Sequence, residues 1–125
     1  MQFKECYQNP FIEERADPYI TLGPDGFYYF TASYPMKSAD DKDGYDRVIL
    51  RRAKDISELA SAEEITIWKV ADTTLTHRFI WAPELHYIAG LWYVFYAGSE
   101  DKENNWAFDC HVLVCDSNDP YTGTW

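Results

Sequence analysis

The chain has 125 residues, about one ordinary domain, and its 46% of hydrophobic residues excludes an intrinsically disordered chain. The 11 basic and 21 acidic residues give a formal net charge of −10. That charge repels phosphate backbones and anionic lipids, so nucleic acid and membrane surfaces are excluded as partners, whereas a neutral substrate is compatible. The aromatic share of 18% favours strands, because aromatic side chains suit a pleated, half-buried surface.

The N-terminal residues 1–15 contain no apolar segment of the kind that a secretory signal requires. The three cysteines, Cys6, Cys110 and Cys115, are an odd number, which favours reduced thiols. We therefore expect a cytoplasmic protein. Cys110 and Cys115 lack a second pair of ligands and the histidines are scattered, so the sequence predicts no metal and no cofactor.

The first half of the chain begins with a hairpin. Gly23-Pro24-Asp25-Gly26 separates two aromatic runs, 19–22 and 27–31, and such a turn sequence between apolar runs predicts two paired strands. The elements expected after them are a polar loop at 37–44, a strand at 47–52, one helical turn within 55–62 and a strand at 64–70.

The same pattern then begins again. A strand at 85–88 leads through Ala89-Gly90 into a strand at 92–96, followed by a polar loop at 99–105 and a strand at 111–115. Pro83 follows Pro18 by 65 positions (83 − 18), and the aromatic residues of the hairpin match at the same offset, Phe27 with Trp92 and Phe30 with Phe95. We interpret this as an internal repeat.

A repeated unit of about four short strands with a tight first hairpin is typical of a propeller blade. A β-sandwich also uses short strands and regular turns, but the repetition of a whole unit favours the propeller. We assign residues 14–75 to a first blade and 76–125 to an incomplete second one. Since propellers have about 4–8 blades, we expect this chain to be the N-terminal part of a larger all-β domain.

Two segments that lie one repeat apart carry candidate chemistry. Ala16-Asp17-Pro18 opens the first strand, and the first strand of each propeller blade lines the central channel, so the Asp17 carboxylate should face the cavity there. An Asp-Pro pair is also a common turn element. The second segment is Ile80-Trp81-Ala82-Pro83-Glu84-Leu85-His86.

Together these segments resemble glycoside hydrolase family 43, in particular its exo-acting, arabinan-trimming α-L-arabinofuranosidases. Gly90-Leu91-Trp92-Tyr93 and the C-terminal segment Asp119–Trp125 resemble the same family. The resemblance implies a five-bladed β-propeller and an inverting hydrolysis of a carbohydrate substrate. Inversion requires a general base that activates water on one face of the sugar and an acid that protonates the leaving oxygen.

By this resemblance Asp17 is the general base. The family's acid, a Glu, and the Asp that tunes it belong to later blades, and we find no match for either before Trp125, so we expect residues 1–125 alone to be inactive. A β-xylosidase of the same family and a non-catalytic carbohydrate-binding propeller are the alternatives. Some family members hold a structural cation in the central channel.

Three nearby side chains are candidates for substrate binding. Trp81 suits stacking on a sugar face, although a core position between blades is an equal alternative. Glu84 suits a bond to a sugar hydroxyl or support of a loop, rather than proton donation. Arg15, beside Asp17, could orient that carboxylate and keep it ionised, or lie on the surface.

Two further candidates are weaker in their sequence signal. His77 precedes the second segment and could reach a sugar hydroxyl. Tyr34, together with Ser33, follows the second strand and either lies near the cavity or starts the loop. We expect His86 to be a core histidine.

Overall fold

The computed structural model describes residues 7–38, 40, 44–70, 78–99 and 106–125. Within these ranges the chain forms seven β-strands and one 3₁₀ turn, Ile56–Glu58, which is the predicted helical turn. The strands are β1 (Ala16–Leu22), β2 (Tyr28–Ser33), β3 (Arg47–Ala53), β4 (Ile65–Lys69), β5 (Arg78–Ile88), β6 (Leu91–Ser99) and β7 (Phe108–Val114). The predicted loops at 37–44 and 99–105 lie partly outside the described residues.

The strands form two antiparallel sheets of blade-like topology. The first has the order β1-β2-β3-β4 and the second has the order β5-β6-β7. Within each sheet, every strand pairs with its neighbour in sequence. Strands β1 and β5 hold the same place in their sheets, as the repeat predicts.

Both sheets start with a tight hairpin, but the two turns differ. In the first, the Gly23 N–H donates to the Phe27 carbonyl at 2.8 Å, and Gly26 has a φ of 74° that suits glycine. In the second, Ala89 and Gly90 both have positive φ, 51° and 90°, and connect the paired residues Ile88 and Leu91. Two central residues with positive φ are the mark of a type I′ turn.

This difference corrects the repeat alignment by one residue in the second strand of each unit. Leu22 pairs with Tyr28, whereas the equivalent Tyr87 pairs with Trp92. The offset is therefore 65 positions between β1 and β5 (87 − 22) but 64 between β2 and β6 (92 − 28). The predicted matches of Phe27 with Trp92 and of Phe30 with Phe95 are therefore wrong, because a one-residue slip moves a side chain to the opposite face of the sheet.

The main hydrophobic core lies between the two sheets. Tyr29 of the first sheet meets Trp92 of the second edge to face, with ring centroids 5.1 Å apart, and both are buried. The buried members of this core are Tyr29, Val48, Leu50, Trp68, Ile80, Leu85, Trp92, Val94, Tyr96 and Cys115. Burial of each large apolar side chain contributes about 1.5–3 kcal/mol, so this core holds the sheets face to face.

A second cluster covers the other face of the first sheet. Its buried members are Phe30, Ala32, Ile49, Ala53 and Leu59. Phe11 and Ile12 of the N-terminal segment pack against it.

Among the described residues, none of the helical structure is long and apolar enough to cross a membrane.

Candidate functional site

The backbone is irregular at the same place in both sheets. The pairing register shifts between Ala16 and Tyr19 in β1, and between Trp81 and Glu84 in β5. Inside these bulges, Asp17 has a φ of 50° and Ala82 has a φ of 46°. The left-handed region costs an ordinary L-residue about 1–2 kcal/mol. Conformations of this kind cluster at active sites and ligand clamps.

The two bulges are joined through one buried hydroxyl group. Ser33, the last residue of β2, is fully buried, and its hydroxyl donates to the Asp17 carboxylate at 2.9 Å. The same oxygen accepts the backbone N–H of Ala82 at 2.8 Å. Asp17 itself is exposed. The structure therefore presents the Asp17 carboxylate to solvent at the junction of the two sheets.

The guanidinium group of Arg15 is engaged by Glu64 rather than aimed at Asp17. Its Nε donates to Glu64 Oε2 at 3.1 Å, and a second nitrogen pairs with Oε1. Arg51 donates to the same carboxylate at 3.0 Å. Burial alone would raise the pKa of Glu64, but the hydrogen bonds and charges of Arg15 and Arg51 lower it below its usual value. Arg15 thus orients the carboxylate of Glu64, whereas the sequence analysis considered it as a partner of Asp17.

The ring of Tyr34 is engaged by two cations. The guanidinium carbon of Arg15 lies 4.2 Å from the ring centroid, and that of Arg47 lies 4.4 Å from it. Such cation–π contacts stabilise a partly buried ring. Stacking of Tyr34 on a sugar would require an arginine to move, so its predicted role in substrate binding would have to use the hydroxyl group.

Trp81 belongs to an aromatic cluster next to the Ala82 bulge. It is half-buried and stacks on Phe108, with centroids 4.4 Å apart and an interplanar angle of 24°. Its indole Nε1 is buried and has no hydrogen-bond partner among the described residues. The other members of the cluster are Tyr45, Phe79 and Trp106. Trp81 is therefore a packed ring, and its role in stacking on a sugar stays a prediction.

Trp106 is a candidate that sequence reasoning missed. Its side chain is 78% exposed and meets Trp81 edge-on at 6.0 Å. An exposed tryptophan beside other aromatic rings is typical of a sugar-stacking surface. Trp106 directly follows the predicted polar loop at 99–105, and this position gave no sequence signal for a binding role.

Glu84 lies on the exposed side of β5 and is paired with His86. The Glu84 Oε2 and His86 Nε2 atoms are 3.0 Å apart, and about half of the Glu84 side chain is accessible. The His86 ring also contacts Tyr19 of the first sheet at 5.3 Å between centroids. His86 is thus partly buried at the sheet junction rather than in the core, and Glu84 keeps an accessible carboxylate there.

Two other features complete the surroundings. His77 lies outside the described residues. A cavity of about 410 Å³ lies against the outer face of the first sheet, on the side of Phe30 and Ile20. Its lining includes Arg15 and Pro18, which flank Asp17 in the sequence, whereas Asp17 itself is not a lining residue. Among the described residues, no group of three or more His, Cys, Asp or Glu side chains could hold a metal ion.

The arrangement provides a solvent-accessible carboxylate, that of Asp17, which is oriented by Ser33, together with the aromatic cluster around Trp81. A carboxylate of this kind can take a proton from water, and aromatic rings can bind the apolar face of a sugar. Sequence reasoning selected Asp17 and Trp81 as candidates through their motifs. It missed the role of Ser33, because the contact with Ala82 joins residues 49 positions apart.

Comparison with known proteins identifies the family of this chain. The sequence model of glycosyl hydrolases family 43 matches residues 7–125. The chain is 42% identical over 119 residues to an extracellular exo-α-(1→5)-L-arabinofuranosidase of Streptomyces avermitilis, covering 95% of this chain and 23% of that protein. It is also 42% identical to a protein of the same name from Streptomyces chartreusis, covering 95% of this chain and 34% of that protein.

A solved structure shows the same fold. The crystal structure of α-L-arabinofuranosidase from Lactobacillus brevis superposes with a TM-score of 0.72 at 40% identity, covering 91% of this chain and 34% of that one. The chain thus spans about a quarter to a third of the length of these relatives. The prediction of an all-β chain forming part of a propeller is confirmed.

The expected cytoplasmic location is not supported, because the two Streptomyces relatives are named as extracellular enzymes. The resemblance seen in the Asp17 and Trp81 segments is confirmed over nearly the whole chain. The chain belongs to glycosyl hydrolases family 43.

Proposed function

We propose that the full protein containing this chain is an inverting glycosidase. It removes terminal α-L-arabinofuranosyl residues from arabinan or from arabinose-decorated polysaccharides and oligosaccharides. The observation that supports this proposal most strongly is the exposed Asp17 carboxylate, held by Ser33 at the junction of the two sheets. The names of the relatives at about 40% identity support the choice of sugar.

In this proposal Asp17 is the general base. Ser33 occupies Oδ2, so the other carboxylate oxygen takes the proton of the water that attacks the anomeric carbon. The general acid lies about 6.5–9.5 Å away in inverting enzymes, which leaves space for that water. We assign the acid and its tuning Asp to later blades, and we divide the chain at about residue 75, with the two sheets in support.

The remaining candidate residues receive substrate-binding roles. Trp81 and the exposed Trp106 form an aromatic wall for the sugar chain. The accessible carboxylate of Glu84 accepts a hydrogen bond from a sugar hydroxyl, while His86 holds that carboxylate in place. Arg15 and Tyr34 support the first sheet beside Asp17, with the Tyr34 hydroxyl available to substrate, and His77 remains a proposed contact from the sequence alone.

Replacement of the base tests the proposal. In the protein at its natural length, Asp17→Asn keeps the shape of the side chain but cannot accept the proton of water. We expect hydrolysis of 4-nitrophenyl α-L-arabinofuranoside to fall by about 10²–10⁴-fold, the usual contribution of a general base, while binding of arabinose oligosaccharides survives. The matched control is Asp40→Asn, at an exposed loop position.

Each rival function has its own outcome in the same assay. Near-normal turnover by Asp17→Asn would remove Asp17 from the role of base. Faster hydrolysis of the β-xyloside than of the arabinofuranoside by the unmodified protein would favour a β-xylosidase. Tight oligosaccharide binding without any turnover would favour a non-catalytic carbohydrate-binding propeller.

A further inference from the structure

We propose that Ser33 is a positioning residue that fixes the Asp17 carboxylate by using a backbone N–H of the second sheet. This inference rests on the proposed role of Asp17 as general base. It assigns to the contact between the two sheets a part in catalysis as well as in stability.

The direction of both hydrogen bonds follows from the groups involved. The backbone N–H of Ala82 can only donate, so it engages a lone pair of Ser33 Oγ, 2.8 Å away. An ionised carboxylate can only accept, so the single hydroxyl proton of Ser33 points to Asp17 Oδ2, 2.9 Å away. Ser33 is fully buried, and water therefore does not compete for this proton. The N–H of Ala82 therefore fixes the Ser33 hydroxyl in the orientation in which its proton points to Asp17.

The Ala82 N–H is available for this contact because of the bulge in β5. The pairing of β5 with β6 skips from Trp81 to Glu84, so Ala82 and Pro83 lie outside the ladder. Pro83 has no N–H to donate, and the Ala82 N–H finds its partner in Ser33 instead. The positive φ of Ala82, 46°, is part of the same local geometry.

The result is that one oxygen of Asp17 is held while the carboxylate stays exposed. Catalytic groups lose up to about 10²-fold in rate when they are displaced by about 1 Å. Without the Ser33 hydroxyl, Asp17 would lose the fixed donor for Oδ2 and would rotate among several orientations. The cost should appear in kcat, because Ser33 is buried behind the carboxylate and does not reach the sugar.

The test compares Ser33→Ala with Ser33→Thr in the protein at its natural length. For Ser33→Ala we expect kcat on 4-nitrophenyl α-L-arabinofuranoside to fall about 10–100-fold, the range for losing a hydrogen bond to a charged group. We expect KM to stay within about twofold. Ser33→Thr keeps the hydroxyl and should retain most of kcat.

Two further measurements separate positioning from folding. The matched control is Thr31→Val, since Thr31 lies on the same face of the same strand, is equally buried, and donates to the Ile49 carbonyl at 2.8 Å within the first sheet. Its kcat should be near normal. Amide hydrogen exchange should accelerate at Ala82 in Ser33→Ala and stay slow in Thr31→Val, with thermal unfolding recorded for each variant.

The possible results are distinguishable. If Asp17→Asn is inactive but Ser33→Ala has normal kcat, the positioning role is wrong and the proposed function stands. Equal losses in Ser33→Ala, Ser33→Thr and Thr31→Val would also overturn it, since the strand would then matter only for folding. If Asp17→Asn is active, the proposed function itself fails.

Discussion

At the scale of single residues, the Glu64 carboxylate, just before β4, binds two arginines from other parts of the first sheet. Arg15 and Arg51 both donate to it, and only 17% of its side chain is accessible. Removal of the Glu64 carboxylate would leave the guanidinium groups of Arg15 and Arg51 without this shared acceptor. Glu64 therefore ties Arg15, which precedes β1, to Arg51 of β3.

We predict that Glu64→Gln lowers the free energy of unfolding by about 1.5–3 kcal/mol at neutral pH, the range for hydrogen bonds to charged groups. The pKa of Glu64 is lower in the folded protein than the ordinary value of 4.5. Its contribution is therefore complete above about pH 4.5 and disappears as the pH falls through the folded value. Thermal unfolding of both proteins between pH 3 and 7 measures the difference.

The control for this prediction is Glu58→Gln, at an exposed position in the 3₁₀ turn. That change should alter the free energy of unfolding by less than about 0.5 kcal/mol, as is usual for surface substitutions. A difference between Glu64→Gln and the unmodified protein that stays constant down to pH 3 would contradict the assignment to the ionised carboxylate.

The sequence identifies candidate functional residues only where a motif marks them. Asp17 is a candidate because its Asp-Pro pair opens the first strand and resembles the family's motif, and the structure shows that its left-handed backbone conformation recurs 65 positions later at Ala82. The partner of Arg15 was not predictable, since Glu64 lies 49 positions away and several acidic residues are closer in sequence. The same holds for Tyr34, whose second cation, Arg47, lies beyond a polar loop.

At the scale of the elements, the second hairpin contains a residue in an unfavourable conformation. Ala89 has a φ of 51° and is exposed, and Gly90 follows it with a φ of 90°. Asparagine tolerates this conformation better than alanine, and Asn-Gly is the preferred pair for a type I′ turn. The turn is therefore correct in type but not optimal in sequence.

We predict that Ala89→Asn stabilises the protein by about 0.5–1 kcal/mol, because it removes the cost of the left-handed conformation. Thermal unfolding should show a higher midpoint with unchanged kcat, since the turn lies at the end of β5 that is remote from the Ala82 bulge. The same change at Ala60, an exposed turn residue without a positive φ, serves as the control. Equal shifts at both positions would show that the gain does not come from the backbone.

The hairpins also show why strand positions were predictable but the detailed register was not. Turn residues and aromatic runs marked every strand within a few residues of its observed bounds, apart from the early start of β5. The sequence does not reveal the one-residue difference between the turns, because β2 and β6 both have aromatic residues at successive positions. Offsets of 64 and 65 therefore both align aromatic residues. The observed strand pairing distinguishes them, since Leu22 pairs with Tyr28 and Tyr87 pairs with Trp92, and burial agrees, since Val94, not Phe95, faces the first sheet.

At the scale of the whole molecule, one face of the second sheet has no covering layer among the described residues. Leu113 packs towards the core between the sheets. Its neighbours Val112 and Val114 point the other way, are 50% and 44% exposed, and lie opposite Phe95 and Tyr93. In a propeller such a face packs against the next blade. We call these four residues the outer patch.

We predict that residues 1–125, produced as a separate protein, associate in solution and do not hydrolyse arabinofuranosides. Association follows because a repeat unit without a neighbour or a polar outer face is a solubility liability, and the net charge of −10 opposes it only in part. Inactivity follows because an inverting glycosidase needs two carboxyl groups, and only Asp17 is matched here. Sedimentation velocity and an assay on 4-nitrophenyl α-L-arabinofuranoside measure the two effects.

The outer patch itself can be tested by adding charge to it. The double change Val112→Lys and Val114→Lys should shift residues 1–125 towards the monomer, whereas Ser57→Lys with Ser61→Lys, at two exposed positions in and just after the 3₁₀ turn, adds the same positive charge elsewhere and should not. If both pairs act alike, association depends on net charge rather than on the patch. A monodisperse, cooperatively unfolding monomer of unmodified residues 1–125 that hydrolyses the substrate would show that the first two sheets are sufficient, and that neither the missing neighbour nor the second carboxyl group is required.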